Sequence, residues 1–457
     1  MKQRDIQHLY WRSGFGATPS QITVLSNKDR RQIVDALFLE SAEPTILEVD
    51  TSEIDHFTGQ LLLKNKSQRR EFRVASTKKL KEFNALWVHR LMVSNETLRE
   101  KMTLFWVNHF ACRDNNIFHV QQFNNTIRAH ALDNFGDFVK AISKEAAMLK
   151  YLNNKQNRKQ RPNENFAREL MELFTLGEGH YTENDIKESA RAFTGYNHNF
   201  EGEFMLKMKE HDYEFKTFFG HTGRYDGDDI IDIILEEKQC ARFICEKIYS
   251  YFVNEVVHQE HVEELTEVFY NDYDIASLMR HLFMSDWFYS ESNIGSKIKS
   301  PIEFIVGINK TVPVTFKNDI DIIKIQKLLG QTLLNPPNVA GWKGGKNWID
   351  SNTIMIRLKL PSVLLANARI SVTEKGEFED PYEKYYYKKK KNTFAKVRVD
   401  WKSFEQEFIY STFDDIKSQL LIPNLSQGTK TYLETLSKSS KRDFCVQLMS
   451  LPEYQMC

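Results

Sequence analysis

A mainly α protein, a multi-helix globular assembly with one small β-hairpin insertion, is predicted by three observations. Apolar residues recur at three- and four-residue spacing through most of the 457-residue chain. Helix-start and helix-stop residues punctuate those stretches. One segment, residues 200–223, changes to strict two-residue alternation.

The elements follow in order. Residues 26–39 read as a helix, and 77–92 as another with Leu80, Phe83, Trp87 and Leu91 on one side. Thr97-x-x-Glu100 has the spacing of a capping box, opening a helix over 98–110. Helices are expected at 135–151, 163–176 and 183–193, with Gly177 and Gly195 as left-handed caps of the last two. In the hairpin, Phe204, Leu206 and Met208 alternate on one side of His211-Asp212, and Phe215, Thr217 and Phe219 on the other. Helical spacing returns over 228–253 and 262–288, then from Pro301 and Asp319 onward. Residues 373–401, with the run Tyr385-Tyr-Tyr-Lys-Lys-Lys-Lys391, break the pattern, and helix resumes near Phe404. The organisation is therefore a helical core at 1–372, a Lys/Tyr-rich insertion or linker at 373–402, and C-terminal helices at 403–457 packed on the core.

Charge and composition narrow the function classes. Lys plus Arg and Asp plus Glu are both 62, so no global field draws in nucleic acid or anionic membrane. Neither a nucleic-acid partner nor a membrane span is expected. The five cysteines include no Cys-x-x-Cys pair and read as inert thiols. Met1 to His8 is polar, with no apolar leader, which places the chain as written in the cytoplasm. Removal of a leader would make it periplasmic or secreted. No Walker loop, no Gly-x-Ser-x-Gly elbow and no His-Glu-x-x-His is present.

The most informative segment is residues 161–177. At 100° per residue, Phe166, Ala167, Leu170, Leu173 and Phe174 share one arc, while Glu164, Asn165, Arg168, Glu169, Glu172 and Thr175 share the other. Glu164 and Glu172 flank Arg168 at four-residue spacing. Glu164, Glu169 and Glu172 are candidate ligands of a divalent cation (Mg, Mn, Ca or Fe) or a general base, with Arg168 orienting an anionic substrate. His109, His211 and Asp212 are candidate supplementary ligands. The alternative makes Arg168 the hub of a structural ion-pair network, or the face simply solvated. Likewise His109 lies beside a core stripe, and Asp212 suits a turn. Asp226-Gly-Asp-Asp229 suits a helix cap better than a calcium loop. The loop 335–345 followed by Trp348 offers Asn338, Trp342, Lys343 and Trp348 as a ligand-binding set for a sugar ring or another apolar ligand face. Trp342 can equally plug the loop onto the helices.

These segments resemble the bacterial domain-of-unknown-function family 1800 over nearly the whole chain. The resemblance rests on His8-Leu-Tyr-Trp-Arg-Ser-Gly-Phe-Gly-Ala-Thr18, Lys101-Met-Thr-Leu-Phe-Trp-Val-Asn-His-Phe110, residues 162–177 and Leu334-Asn-Pro-Pro-Asn-Val-Ala-Gly-Trp342. It implies an uncharacterised function, an export signal in many members, and a phosphatase- and sulfatase-like protein as a possible genomic neighbour and partner. Relatives carry His-x-His after the Phe-Trp pair, where this chain has Val107 and keeps only His109. Two functions are expected from these readings. One is a metal-assisted hydrolase using the carboxylate helix; the other is a non-catalytic binding or assembly protein with a structural ion-pair network and a Trp-bearing recognition loop.

Overall fold

Helices dominate the computed structural model, which describes residues 1–366, 395–436 and 438–457, and the only sheets among these are three two-stranded antiparallel pairs. The fold class is thus mainly α, as the periodicity predicts. The Lys/Tyr-rich run 385–391 lies outside the described residues. No helix among the described residues is long and apolar enough to cross a membrane.

Local chemistry sets most helix ends. Thr182 and Asp185 form a reciprocal capping box for Glu183–Ala192, and Asp226 and Asp229 do the same for Gly227–Glu236. Gly177 and Gly195 take φ of 87° and 80°; Gly177 caps its helix by donating to Met171 O at 3.0 Å, whereas Gly195 donates to Asn157 O at 2.9 Å and does not cap Glu183–Ala192, which ends at Phe193. Other boundaries differ from expectation. The helix read at 77–92 spans Lys66–Val93, because its charged first half has no apolar spacing to betray it. The stretch 135–151 breaks at Glu145 into Phe135–Lys144 and Ala146–Tyr151. Thr97 and Glu100 form no capping box. Glu100 is buried instead, accepting from Trp87 Nε1 at 3.0 Å, Arg90 Nε at 2.5 Å and Arg128 Nε at 2.8 Å. Burial opposes its charge, but the Arg128 and Arg90 guanidiniums outweigh it and hold Glu100 below the usual carboxylate range.

The predicted single hairpin is two. Tyr196–His198 pairs with Phe204–Leu206, and Lys216–Phe218 pairs with His221–Gly223. Phe219 and Gly220 both have positive φ, which makes the second a tight two-residue turn. Each strand therefore meets a neighbour a few residues away rather than its counterpart across His211-Asp212. A third pair, Val314–Phe316 with Val397–Val399, was not foreseen.

One continuous apolar core runs from Ile6 to Tyr454, with Trp87, Trp106, Phe110 and Phe135 fully enclosed. All five cysteines are free and buried. A charged knot lies inside the protein. Glu303, fully buried, pairs with Lys101 and with Lys297 at 2.6 Å. Lys101 Nζ also donates to Trp11 O at 3.1 Å and Gly14 O at 2.9 Å. Close by, Lys299 donates to Tyr454 O at 2.7 Å, and Arg357 Nε to Gln455 Oε1 at 2.9 Å. The motif residues around Trp11, Lys101 and Tyr454 thus meet in a structural junction that ties the first helix to the last residues.

Candidate functional site

The carboxylate segment is not one α-helix. Asn165–Glu169 is α-helical, and Leu170–Thr175 widens into a π-helix. The wider turn leaves carbonyls without their usual partners. Thr175 Oγ1 donates to Leu170 O at 2.6 Å, and Met171 O accepts from Leu176 N at 2.8 Å and Gly177 N at 3.0 Å. The widening also rotates the last residues. Thr175, expected beside the glutamates, is fully buried, as is Met171. Phe166, Ala167, Leu170 and Phe174 remain in the core, while Leu173 is only partly covered.

The polar side is locked pairwise. Arg168 forks onto Glu183 of the next helix at 3.0 and 3.1 Å, and its Nη2 lies 3.5 Å from Glu164. Glu172 accepts from the Tyr181 hydroxyl at 2.7 Å. Burial and the hydrogen bond to Glu172 push the Tyr181 phenol well above its ordinary range. Glu169 is half-covered. Burial first, and the Glu172 charge second, raise its carboxyl, against a smaller opposing pull from Arg168. Glu164 and Arg168 keep 38% and 37% of their side chains exposed, so this is an open face and not an enclosed pocket.

The expected histidines do not join it. His109 is buried with Nε2 donating to Phe174 O at 3.0 Å, so it meets the apolar side of the same π-turn. Burial, with Lys247 nearby, lowers His109 to about 3. His211 Nδ1 donates to Thr194 O at 2.7 Å. Asp212 accepts from Arg191 Nε at 2.8 Å, and Arg191 in turn holds Glu188 at 2.9 Å. Arg191 lies eight residues beyond Glu183 on one helix, about 12 Å along its axis at 1.5 Å per residue. Among the described residues, no group of three or more His, Cys, Asp and Glu side chains is arranged to hold a metal ion. Of the six expected ligands, Glu164, Glu172 and His109 are taken by different partners, His211 and Asp212 share Thr194, and the Glu169 carboxylate forms no hydrogen bond or ion pair among the described residues.

The tryptophan loop is a plug in its geometry. Trp342 and Trp348 are 9% and 8% exposed, so neither ring is presented to solvent. Asn108 bonds both backbone groups of Trp342. Asn338 turns inward on its own loop, accepting from Ala340 N at 3.0 Å, while Lys343 stays exposed.

One polar cluster escaped the sequence reading. Asp114 accepts from His119 Nδ1 at 2.9 Å and from Lys150 Nζ, and the His119 and His198 rings lie 4.9 Å apart. Elsewhere, burial raises Glu145 to about 7, against the pull of Thr126 and Gln122, and its Oε1 accepts from Thr126 Oγ1 at 2.5 Å. Burial likewise lowers His198 to about 4. Asp114 and His119 are close in sequence, but Lys150 and His198 carry no local mark that would assign them here.

Comparisons with known proteins bear on the whole chain. Neither the curated proteins nor the solved structures include a match. The family model DUF1800, described as a protein of unknown function, matches residues 8–456. That match covers nearly every element described above, and the chain belongs to the DUF1800 family.

Proposed function

We propose that this chain is a binding or assembly protein in which the carboxylate helix has a structural role. The observation that carries this reading is the dispersal of the expected catalytic groups. Arg168 is engaged by Glu183 and Glu164, Glu172 by Tyr181, His109 by Phe174, and Asp212 by Arg191. A metal-assisted hydrolase needs hard donors converging on one point with an open position for substrate. Groups committed to separate partners on an open face support cross-linking of the π-turn to the Glu183–Ala192 helix instead.

The test is elemental analysis of gently purified protein, beside Glu164→Ala and Glu172→Ala. Both variants are expected to fold, and neither they nor the parent to hold metal near one equivalent. A stoichiometric metal that disappears from the folded variants overturns the reading.

One observation favours a second reading, acid–base chemistry at Glu169. Its carboxyl is raised by burial and by a like charge three residues away, the environment that readies an acid for proton transfer. Carbon-13 titration of the Glu169 carboxyl checks it, and a midpoint at or below that of exposed glutamates removes it.

A further inference from the structure

Away from the carboxylate helix, a groove of about 790 Å³ runs between the Lys66–Val93 helix and the segment 317–323. Arg73, Val74, Thr77, Lys78, Lys81 and Glu82 line one wall. These positions recur at i, i+1, i+4, i+5, i+8 and i+9, one face of a helix over about 14 Å. Lys317, Ile320 and Ile323 contribute to the opposite wall, and Asn115 also lines the groove.

Its charges are unbalanced. Four cations, Arg73, Lys78, Lys81 and Lys317, line it against two carboxylates: Glu82, paired with Lys79 at 3.0 Å, and Asp319, which accepts from His89 at 3.3 Å. Lys78 reaches Glu53 at 3.5 Å and Glu82 at 3.8 Å. Arg73, Lys81 and Lys317 form no ion pair among the described residues, and all three are exposed. The helix carries the same bias beyond the groove, with Lys66, Arg69 and Arg70 preceding Arg73. A concave surface with free cations is a counter-ion site for an anion. The groove is also part apolar: Val74 is 65% and Ile320 50% exposed. A simple inorganic anion leaves that surface uncovered, whereas a peptide alternating acidic and apolar side chains meets both.

Resting on the reading of the chain as a binding protein, we propose that this groove binds a short acidic peptide segment. Arg73, Lys81 and Lys317 meet its carboxylates, and Val74 and Ile320 its apolar side chains. About 14 Å of wall corresponds to roughly four extended residues at about 3.3 Å each.

The probe is a fluorescein-labelled octapeptide alternating glutamate and leucine, titrated into the full chain and followed by anisotropy. Saturable binding is expected, weakened at least about tenfold by the Lys81→Glu, Lys317→Glu pair and by raising salt from about 50 to about 300 mM. Lys430→Glu, a charge reversal at an exposed lysine remote in sequence, should leave binding unchanged, and a lysine–leucine peptide should not bind. The substituted side chains are exposed, so melting within a few degrees of the parent verifies the fold. Three results overturn the proposal: no saturable binding, equal binding by the charge-reversed pair, or tighter binding of a sulfated oligosaccharide than of the peptide. Peptide failure in metal-free protein removes the groove alone. Stoichiometric metal at the carboxylate helix removes the parent reading whatever the peptide does.

Discussion

Asn108 grips the peptide unit of Trp342 from both sides. Its Oδ1 accepts from Trp342 N at 2.7 Å, and its Nδ2 donates to Trp342 O at 3.1 Å. A side-chain amide here does the work of a strand neighbour, and the loop's position on the Thr97–His109 helix depends on it. Asn108→Ala leaves two partly buried backbone groups without partners, at a cost of about 1–3 kcal/mol. Lower thermal stability and red-shifted tryptophan emission are expected. An unchanged melting point with unchanged emission contradicts this account of the loop.

Gly341 is the other half of that contact. Its φ is 72°, and a Cβ built there sits 2.4 Å from both the carbonyl O and the Oδ1 of Asn108. Gly341→Ala therefore combines an unfavourable backbone region with a clash against a backbone atom that cannot rotate away. It should destabilise more than Asn108→Ala by chemical denaturation, and the reverse order would show that the loop can shift as a unit.

Glu303 anchors the internal charged knot. Lys101 and Lys297 hold its carboxyl far below the ordinary range despite burial. Glu303→Gln removes the negative member and strands two enclosed ammonium groups, a change costing about 3–5 kcal/mol. Loss of soluble protein, or a large drop in the urea midpoint, is expected. A midpoint close to the parent's would mean that the lysines are neutral or rehydrated in the fold.

The lysines themselves give a pH signature. Burial lowers Lys101 to about 8 and Lys299 to about 7, from an ordinary 10.5. The unfolded chain then binds more protons than the folded one between about pH 7 and 10.5, so this pair makes stability rise with pH through that window. Lys299→Met should remove part of the slope. A parent and variant with parallel pH–stability curves would contradict the shift.

Glu145 runs the other way. Its folded value of about 7 lies above the ordinary 4.5, so the folded state binds the extra proton between these values. Its favourable contribution is complete below about pH 4.5 and is lost as pH rises through 7. Glu145→Gln mimics the protonated form and should gain about 1–3 kcal/mol relative to the parent at pH 8 compared with pH 5. Equal differences at the two pH values would place Glu145 in water.

The sequence was most informative where a side chain meets its own backbone a few residues away. Asp226 with Asp229, and Gly177, behave as their spacing predicts. It misled where a distant group competes for the same atom. Thr97 and Glu100 have capping-box spacing, yet Arg128 from the following helix and Arg90 from the preceding one capture Glu100. The candidate site failed to assemble for the same reason. Periodicity put the glutamates on one face, but Glu183, Tyr181 and Arg191, which decide what each group touches, arrive from other elements. The beginning of the Lys66–Val93 helix was hidden by a different cause, a charged exposed stretch with no apolar stripe.

The π-turn at Leu170–Thr175 has the form of one residue too many in an otherwise α-helical segment. Deleting a single amino acid there would let the ladder close into ordinary α-helix without moving the chain before Glu169. Because the wide turn already absorbs the extra residue, everything after the deletion would keep its present face. Thr175 would then stand four residues after Leu170, on the apolar arc, and would stay in the core. The wide turn is thus what brings Thr175 into the apolar arc, where its hydroxyl is fastened on Leu170 O.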